Sequence, residues 1–236
     1  MFQWTPTRIL FAADSLEAKL LNGHISFVSM CKLQQQGDAF VAFVGLTGHE
    51  AEKIDLYSIA AQAARTGISL EQKLDVFTRL AHEPVRKMWK TAMTSEPLIA
   101  SITFGTTMVM VSTRDHAIAV QDYFASADGS ITEKPSVIRG IGQKRMQMTD
   151  YMAVGNHQET SAFAKSNAKL MALNGIDFIK AFMDTQIAFE QGRLKQHALP
   201  RVGYPISILQ IDLLGGPAWV PGYQGACPAI QPIKLK

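Results

Sequence analysis

Five consecutive apolar residues, Ile9-Leu10-Phe11-Ala12-Ala13, run directly into an acid, Asp14, and then Ser15. The run is short, and it does not alternate apolar with polar positions. Successive side chains of a strand point to opposite faces, so a continuous apolar run marks a strand covered on both sides. Such a strand needs a packed layer above it and another below it, which excludes a lone half-solvated sheet. Its carboxylate then sits where the strand leaves the core. A second run of this kind, Ala39 to Val44, follows Cys31-Lys32-Leu33 and the turn Gln36-Gly37-Asp38.

The flanking sequence supplies the other layers. Thr5-Pro6-Thr7-Arg8 reads as a turn joining Phe2–Trp4 to the first run, and His24–Lys32 reads as another strand. From Gly48 the period becomes helical, with Ile54, Tyr57, Ala61 and Ala64 on one face. Ser69-Leu70-Glu71-Gln72 has the form of a capping box. It opens a second helix along Leu74, Phe77, Ala81, Val85 and Met88, which Pro84 is expected to kink or end. Strands return at Leu98–Phe104, Met108–Ser112 and Ala117–Phe124, with shorter patterns at Val137–Ile141 and Tyr151–Val154. A helix carrying Phe163, Leu170 and Leu173 follows Asn156, and another carries Ile176, Ile179, Met183 and Ile187. Pro205–Leu213 is the last strand, and the proline-rich residues 217–236 read as an extended surface tail. The order is strands, two helices, strands, two helices, strand. It predicts an α+β fold. Two mainly antiparallel sheets stack, each covered outside by a helix pair, in a four-layer αββα sandwich built as a single domain over residues 1–236.

Composition narrows the function classes. The chain has 236 residues, 47% of them apolar, enough for one sizeable core. Its net charge is only +3, and no Lys/Arg run exceeds two residues, which argues against nucleic acid or an anionic membrane as partner. No apolar stretch is long enough for a transmembrane helix. The expectation is a soluble protein, cytoplasmic, or secreted if its N-terminus is trimmed. Cys31 and Cys227 are too few for a disulfide scaffold, and Cys31 reads as a small buried residue. The six histidines are scattered without ligand spacing, so no metal is expected. The glycines form no nucleotide-binding motif, and no cofactor is expected.

The stretch Ile9 to Ser15 resembles a segment of proteasome β-type subunits, members of the N-terminal-nucleophile (Ntn) hydrolase superfamily, in which apolar residues precede Ala-Ala-Asp-Ser. Cys31-Lys32-Leu33, the stretch Ala42 to Gly48, Ala153-Val154-Gly155-Asn156 and the stretch Val202 to Ile208 are similar to further segments of that family. They come in the same order along nearly the whole chain. The likeness is nearest to proteasome-like bacterial proteins. The resemblance implies the αββα fold, a peptide or amide substrate, and assembly into homo-oligomers. It also implies a Thr, Ser or Cys nucleophile at a free N-terminus, whose own α-amine takes the side-chain proton. Lys32 tunes that pair, Asp14 holds Lys32, and the backbone N–H of Gly45 serves the oxyanion. Asn156 falls where the family has a small Ser. Counting back from Asp14 by the family's spacing places the nucleophile just ahead of Met1. The chain is therefore expected to be a hydrolase if processing exposes such a residue, and an inactive structural or assembly protein if it does not. A rival register starts at Thr106, with Asp122 and Lys144 in the charged roles. It leaves only one helix pair and one strand block, so Thr106-Thr107 reads more simply as the start of a strand.

Overall fold

The computed structural model describes residues 1–5, 7–21, 24–50, 52–66, 68–95, 105–126, 130–139, 150–153, 158–194 and 202–233. The chain divides into two compact units, residues 1–34 with 140–231, and residues 35–139 with 232–236.

The first unit is built on a five-stranded antiparallel sheet. Its core hairpin is β1 (Phe2–Thr5) and β2 (Arg8–Asp14). A second hairpin, β3 (Leu16–Leu21) and β4 (His24–Ser29), follows. The second unit carries the other five-stranded sheet, from β5 (Gln34–Gln36), β6 (Ala39–Gly45), β9 (Gly105–Ser112), β10 (Ala117–Ala125) and β11 (Ile131–Arg139), ordered β11-β10-β9-β6-β5. Between β6 and β9 lie the short pair β7 (Gly48–His49) and β8 (Ile54–Asp55), then helices α1 (Leu56–Thr66) and α2 (Leu70–Ser95). The chain completes the first unit with β12 (Asp150–Met152), α3 (Gln158–Ser166), α4 (Ala168–Met171), α5 (Gly175–Leu194), β13 (Ile206–Asp212) and β14 (Gly216–Trp219). That sheet runs β12-β1-β2-β13-β14. The class is α+β: each antiparallel sheet carries its own helices, α1 and α2 on the second unit's sheet, α5 on β1 and β2. Among the described residues no helix is long and apolar enough to cross a membrane.

The burial of β2 follows its composition. Ile9, Leu10, Phe11 and Ala12 are 0, 1, 2 and 0% exposed, so both faces of the strand are covered. Leu10 and Ala12, with Ile206 and Ile208 of β13, meet Phe178, Ile179, Phe182 and Met183 of α5. The run Ala39 to Phe43 in β6 is buried throughout in the same way.

Four expectations are corrected. Helix α2 continues through Pro84 to Ser95. Phe77, Ala81, Val85, Met88, Trp89 and Ala92 are all fully buried along it, and this packing outweighs one missing intrahelical bond. Ile54 belongs to β8, because Asp55 starts α1 by accepting from Tyr57 N at 3.0 Å and Ser58 Oγ at 2.6 Å. The strand expected over His24–Lys32 ends at Ser29, and its partner β3 was not foreseen. The tail is not merely extended. Residues 216–219 form the edge strand β14, and Val220 and Cys227 are each 5% exposed. The capping box does form: Gln72 N donates to Ser69 Oγ at 3.3 Å, and Ser69 N to Gln72 Oε1 at 3.2 Å. The expected strand over Leu98–Phe104 lies outside the described residues.

Candidate active site

Asp14 is the last residue of β2. Beyond it the strand has no further partner on β13, whose register ends with Ile206 opposite Asp14. Its carboxylate turns back on the chain: Oδ1 accepts from Leu16 N at 2.9 Å, an Asx-turn. Gly203, in the loop before β13, donates its N–H to the same oxygen at 3.4 Å. The structure brings Lys32 to this carboxylate, with Nζ 2.9 Å from Oδ1 and 3.1 Å from Oδ2. Both side chains are largely buried, 18% exposed for Lys32 and 14% for Asp14. Backbone amides and the ammonium together satisfy a carboxylate that burial would otherwise penalise.

The head of β1 lies beside this pair. Met1 and Ala12 exchange both backbone bonds: Met1 N donates to Ala12 O at 2.8 Å, and Ala12 N to Met1 O at 2.8 Å. Directly opposed residues share a face of the sheet, and so do Ala12 and Asp14 two positions apart. In this chain the α-amine of Met1 is buried, and burial pulls its pKa down from 8.0 to about 5; Asp14 pulls it up and Lys32 pushes it down. For a chain that begins at Met1, this burial favours the neutral amine. Met1 itself offers only a thioether.

Cys31, next to Lys32, is joined to Cys227 by a disulfide across a sequence separation of 196 residues. This replaces the expectation of a small buried cysteine. Ser207 Oγ, on β13, lies 3.3 Å from the Cys227 sulfur. Ile206 also lines an open cavity of about 440 Å³ with Lys180, Asp184, Tyr204 and Tyr223. Tyr204 Oη donates to Asp184 at 2.6 Å, and this bond pushes its pKa up to about 12.

Gly45 ends β6 in the second unit. Its φ is +88°, and a Cβ there would stand 2.0 Å from the Gly105 carbonyl oxygen, so only glycine fits. Asn156 lies outside the described residues. So does Lys144 of the rival register, whose threonines are occupied inside a sheet. Thr106 is 1% exposed, accepts from Trp89 Nε1 at 3.2 Å and donates to Leu46 O at 2.8 Å. Thr107 donates to Asp122 at 2.6 Å. Among the described residues no group of three side chains could hold a metal ion.

Sequence reasoning missed three parts of this site: the disulfide, the Gly203 amide and the fully buried Ser15, whose N–H points to Gly203 O at 3.4 Å. The Asx-turn alone had a local signal, an aspartate directly after a strand.

No protein-family model and no curated protein matches this chain. Among solved structures it is similar to the helical assembly of the Anbu complex from Pseudomonas aeruginosa, at 14% identity over 90% of this chain and 81% of that one, with a TM-score of 0.39. The functional reading rests instead on the geometry at the end of β2.

Proposed function

We propose that this chain is a proteasome-like Ntn hydrolase that cleaves an amide or peptide bond. The observation that carries the reading is the Asp14–Lys32 pair, at 2.9 and 3.1 Å, at the end of β2 and beside Met1, whose backbone pairs with Ala12. A Thr, Ser or Cys exposed ahead of Met1 by processing uses its own α-amine to receive its side-chain proton. Lys32 stabilises the resulting negative charge, and Asp14 keeps Lys32 aimed. By the same resemblance Asn156 takes the place of a hydrogen-bonding Ser. The amide C–N bond then breaks as the α-ammonium gives its proton to the leaving amine, and water hydrolyses the remaining ester or thioester to a carboxylic acid and the free nucleophile.

The second reading is a non-catalytic proteasome-like structural or assembly protein, which holds if no Thr, Ser or Cys is exposed ahead of Met1. Two measurements on protein from its native source separate the readings. They are the mass of the mature N-terminal peptide, and turnover of a fluorogenic peptide-amide panel. The hydrolase reading expects an exposed Thr, Ser or Cys and turnover abolished by Lys32→Ala. A mature N-terminus at Met1 together with no turnover sinks it and leaves the assembly reading.

A further inference from the structure

We infer that the Cys31–Cys227 disulfide is a positioning element for Lys32, so that the Asp14–Lys32 pair keeps its geometry only while the bridge is oxidised. The functional meaning of this rests on the hydrolase reading above; the structural coupling does not. Lys32 lies on the stretch Met30–Lys32, which belongs to no strand. Met30 N donates to Ser15 O at 2.8 Å and Leu33 is 1% exposed, so this stretch is anchored at its two ends. Between those anchors the covalent link at Cys31 fixes the backbone directly before the lysine.

The other end of the bridge is held on the strand that also references Asp14. Ile208 N donates to Tyr223 O at 2.8 Å, and Val220 N to Ile208 O at 3.0 Å. Ser207 Oγ donates to Gln224 O at 3.0 Å, and Gln224 Nε2 to Cys227 O at 2.6 Å. Gly225, at φ +57°, lets this turn press on β13, for a Cβ there would lie 2.7 Å from Ser207 Oγ. Meanwhile Ser207 and Ile206 stand opposite Ala13 and Asp14 in the sheet. A closed path therefore runs from Asp14 across β13 to Cys227, through the bridge to Cys31, and on to Lys32. Both charges are positioned from the same strand pair. A flexible lysine otherwise loses substantial rotamer and backbone freedom to reach one carboxylate.

Cys31 is partly exposed, so a dithiol reductant can reach it. The reductant supplies two electrons and two protons. The S–S bond breaks, two thiols form, and the reductant leaves as its own disulfide. The backbone before Lys32 is then released.

Pulse acetylation with an NHS ester, read residue by residue by mass spectrometry, tests this on oxidised protein, on the same protein reduced with a phosphine (which takes oxygen from water to become its oxide as the two thiols form), and on Cys227→Ser. Lys73, 1% exposed and paired with Asp38 in the second unit, is the internal reference. The expected result is a rise of fivefold or more in Lys32 acetylation in both bridge-free samples, with Lys73 unchanged. A rise below fivefold overturns the inference. A rise matched by Lys73, or by loss of amide protection in β2 and β13 during the pulse, also overturns it, because it reports loosening of the second or the first unit rather than release of Lys32. Peptide-amide turnover is followed separately: a fivefold Lys32 response in protein without turnover supports the positioning role while the hydrolase reading falls.

Discussion

Asp14 concentrates three demands in one carboxylate. It closes an Asx-turn on Leu16, receives the Gly203 N–H and balances Lys32. Asp14→Asn keeps an acceptor for the amides but not the charge, whereas Asp14→Ala removes both and leaves a largely buried ammonium. Hydrogen bonds to charged groups contribute about 1.5–3 kcal/mol each in such settings. Urea unfolding should therefore show Asp14→Ala costing about 2–4 kcal/mol and Asp14→Asn roughly half of that. Equal losses would mean that the charge contributes nothing. The neighbouring α-amine makes a second claim. For a chain beginning at Met1 its pKa is about 5 when folded against 8.0 when free. As the pH falls from 8 the unfolded chain takes up this proton first. The stability tied to the neutral amine is thus full above about pH 8 and is lost as the pH drops through about 5. The Met1 Cα resonance, followed by selective labelling, should titrate with a midpoint near 5; a midpoint near 8 refutes the buried neutral amine.

Helix α2 shows how tertiary packing overrides a local rule. Pro84 removes one amide and crowds the preceding turn, at about 3 kcal/mol in a free helix. The helix persists because its apolar stripe is buried on both sides of the proline. Pro84→Ala should raise stability by about 1–3 kcal/mol in urea melts, and no gain would show that the surrounding helix has fully adapted to the ring. The same contrast explains what the sequence makes legible. The continuous apolar runs of β2 and β6 announced doubly covered strands, and Ser69-Gln72 announced a helix start, because those signals are local and backbone-encoded. The pairing of Asp14 with Lys32 was reached through a family resemblance, since 18 residues separate them and spacing says nothing about how a loop returns. The disulfide was not reached at all. Two cysteines so far apart carry no pattern until the fold brings Cys227 back along β13. Pro84 and the end of β4 at Ser29 were misread because burial and partner strands, rather than propensity, decide them.

At the scale of the whole molecule, the chain leaves the first unit after Gln34 and returns to it at Gly140. That unit is therefore assembled from two distant stretches, with the second unit inserted between them. The disulfide joins one stretch to the other across 196 residues. In the loop-closure picture a cross-link of that span disfavours the unfolded chain by about 5 kcal/mol. The benefit goes to the first unit, because both sulfurs lie in it. An inserted unit that unfolds on its own gains nothing from the bridge. Hydrogen exchange resolves this difference, since it reports opening free energies segment by segment. After reduction, amides of β1, β2 and β13 should exchange about a hundredfold faster or more, while those of β6, β9 and β10 stay within about threefold. Equal acceleration in both sheets would show that the two units unfold as one cooperative body. Protection unchanged in β2 and β13 would show that the hydrogen-bonded ladder alone closes the discontinuous unit.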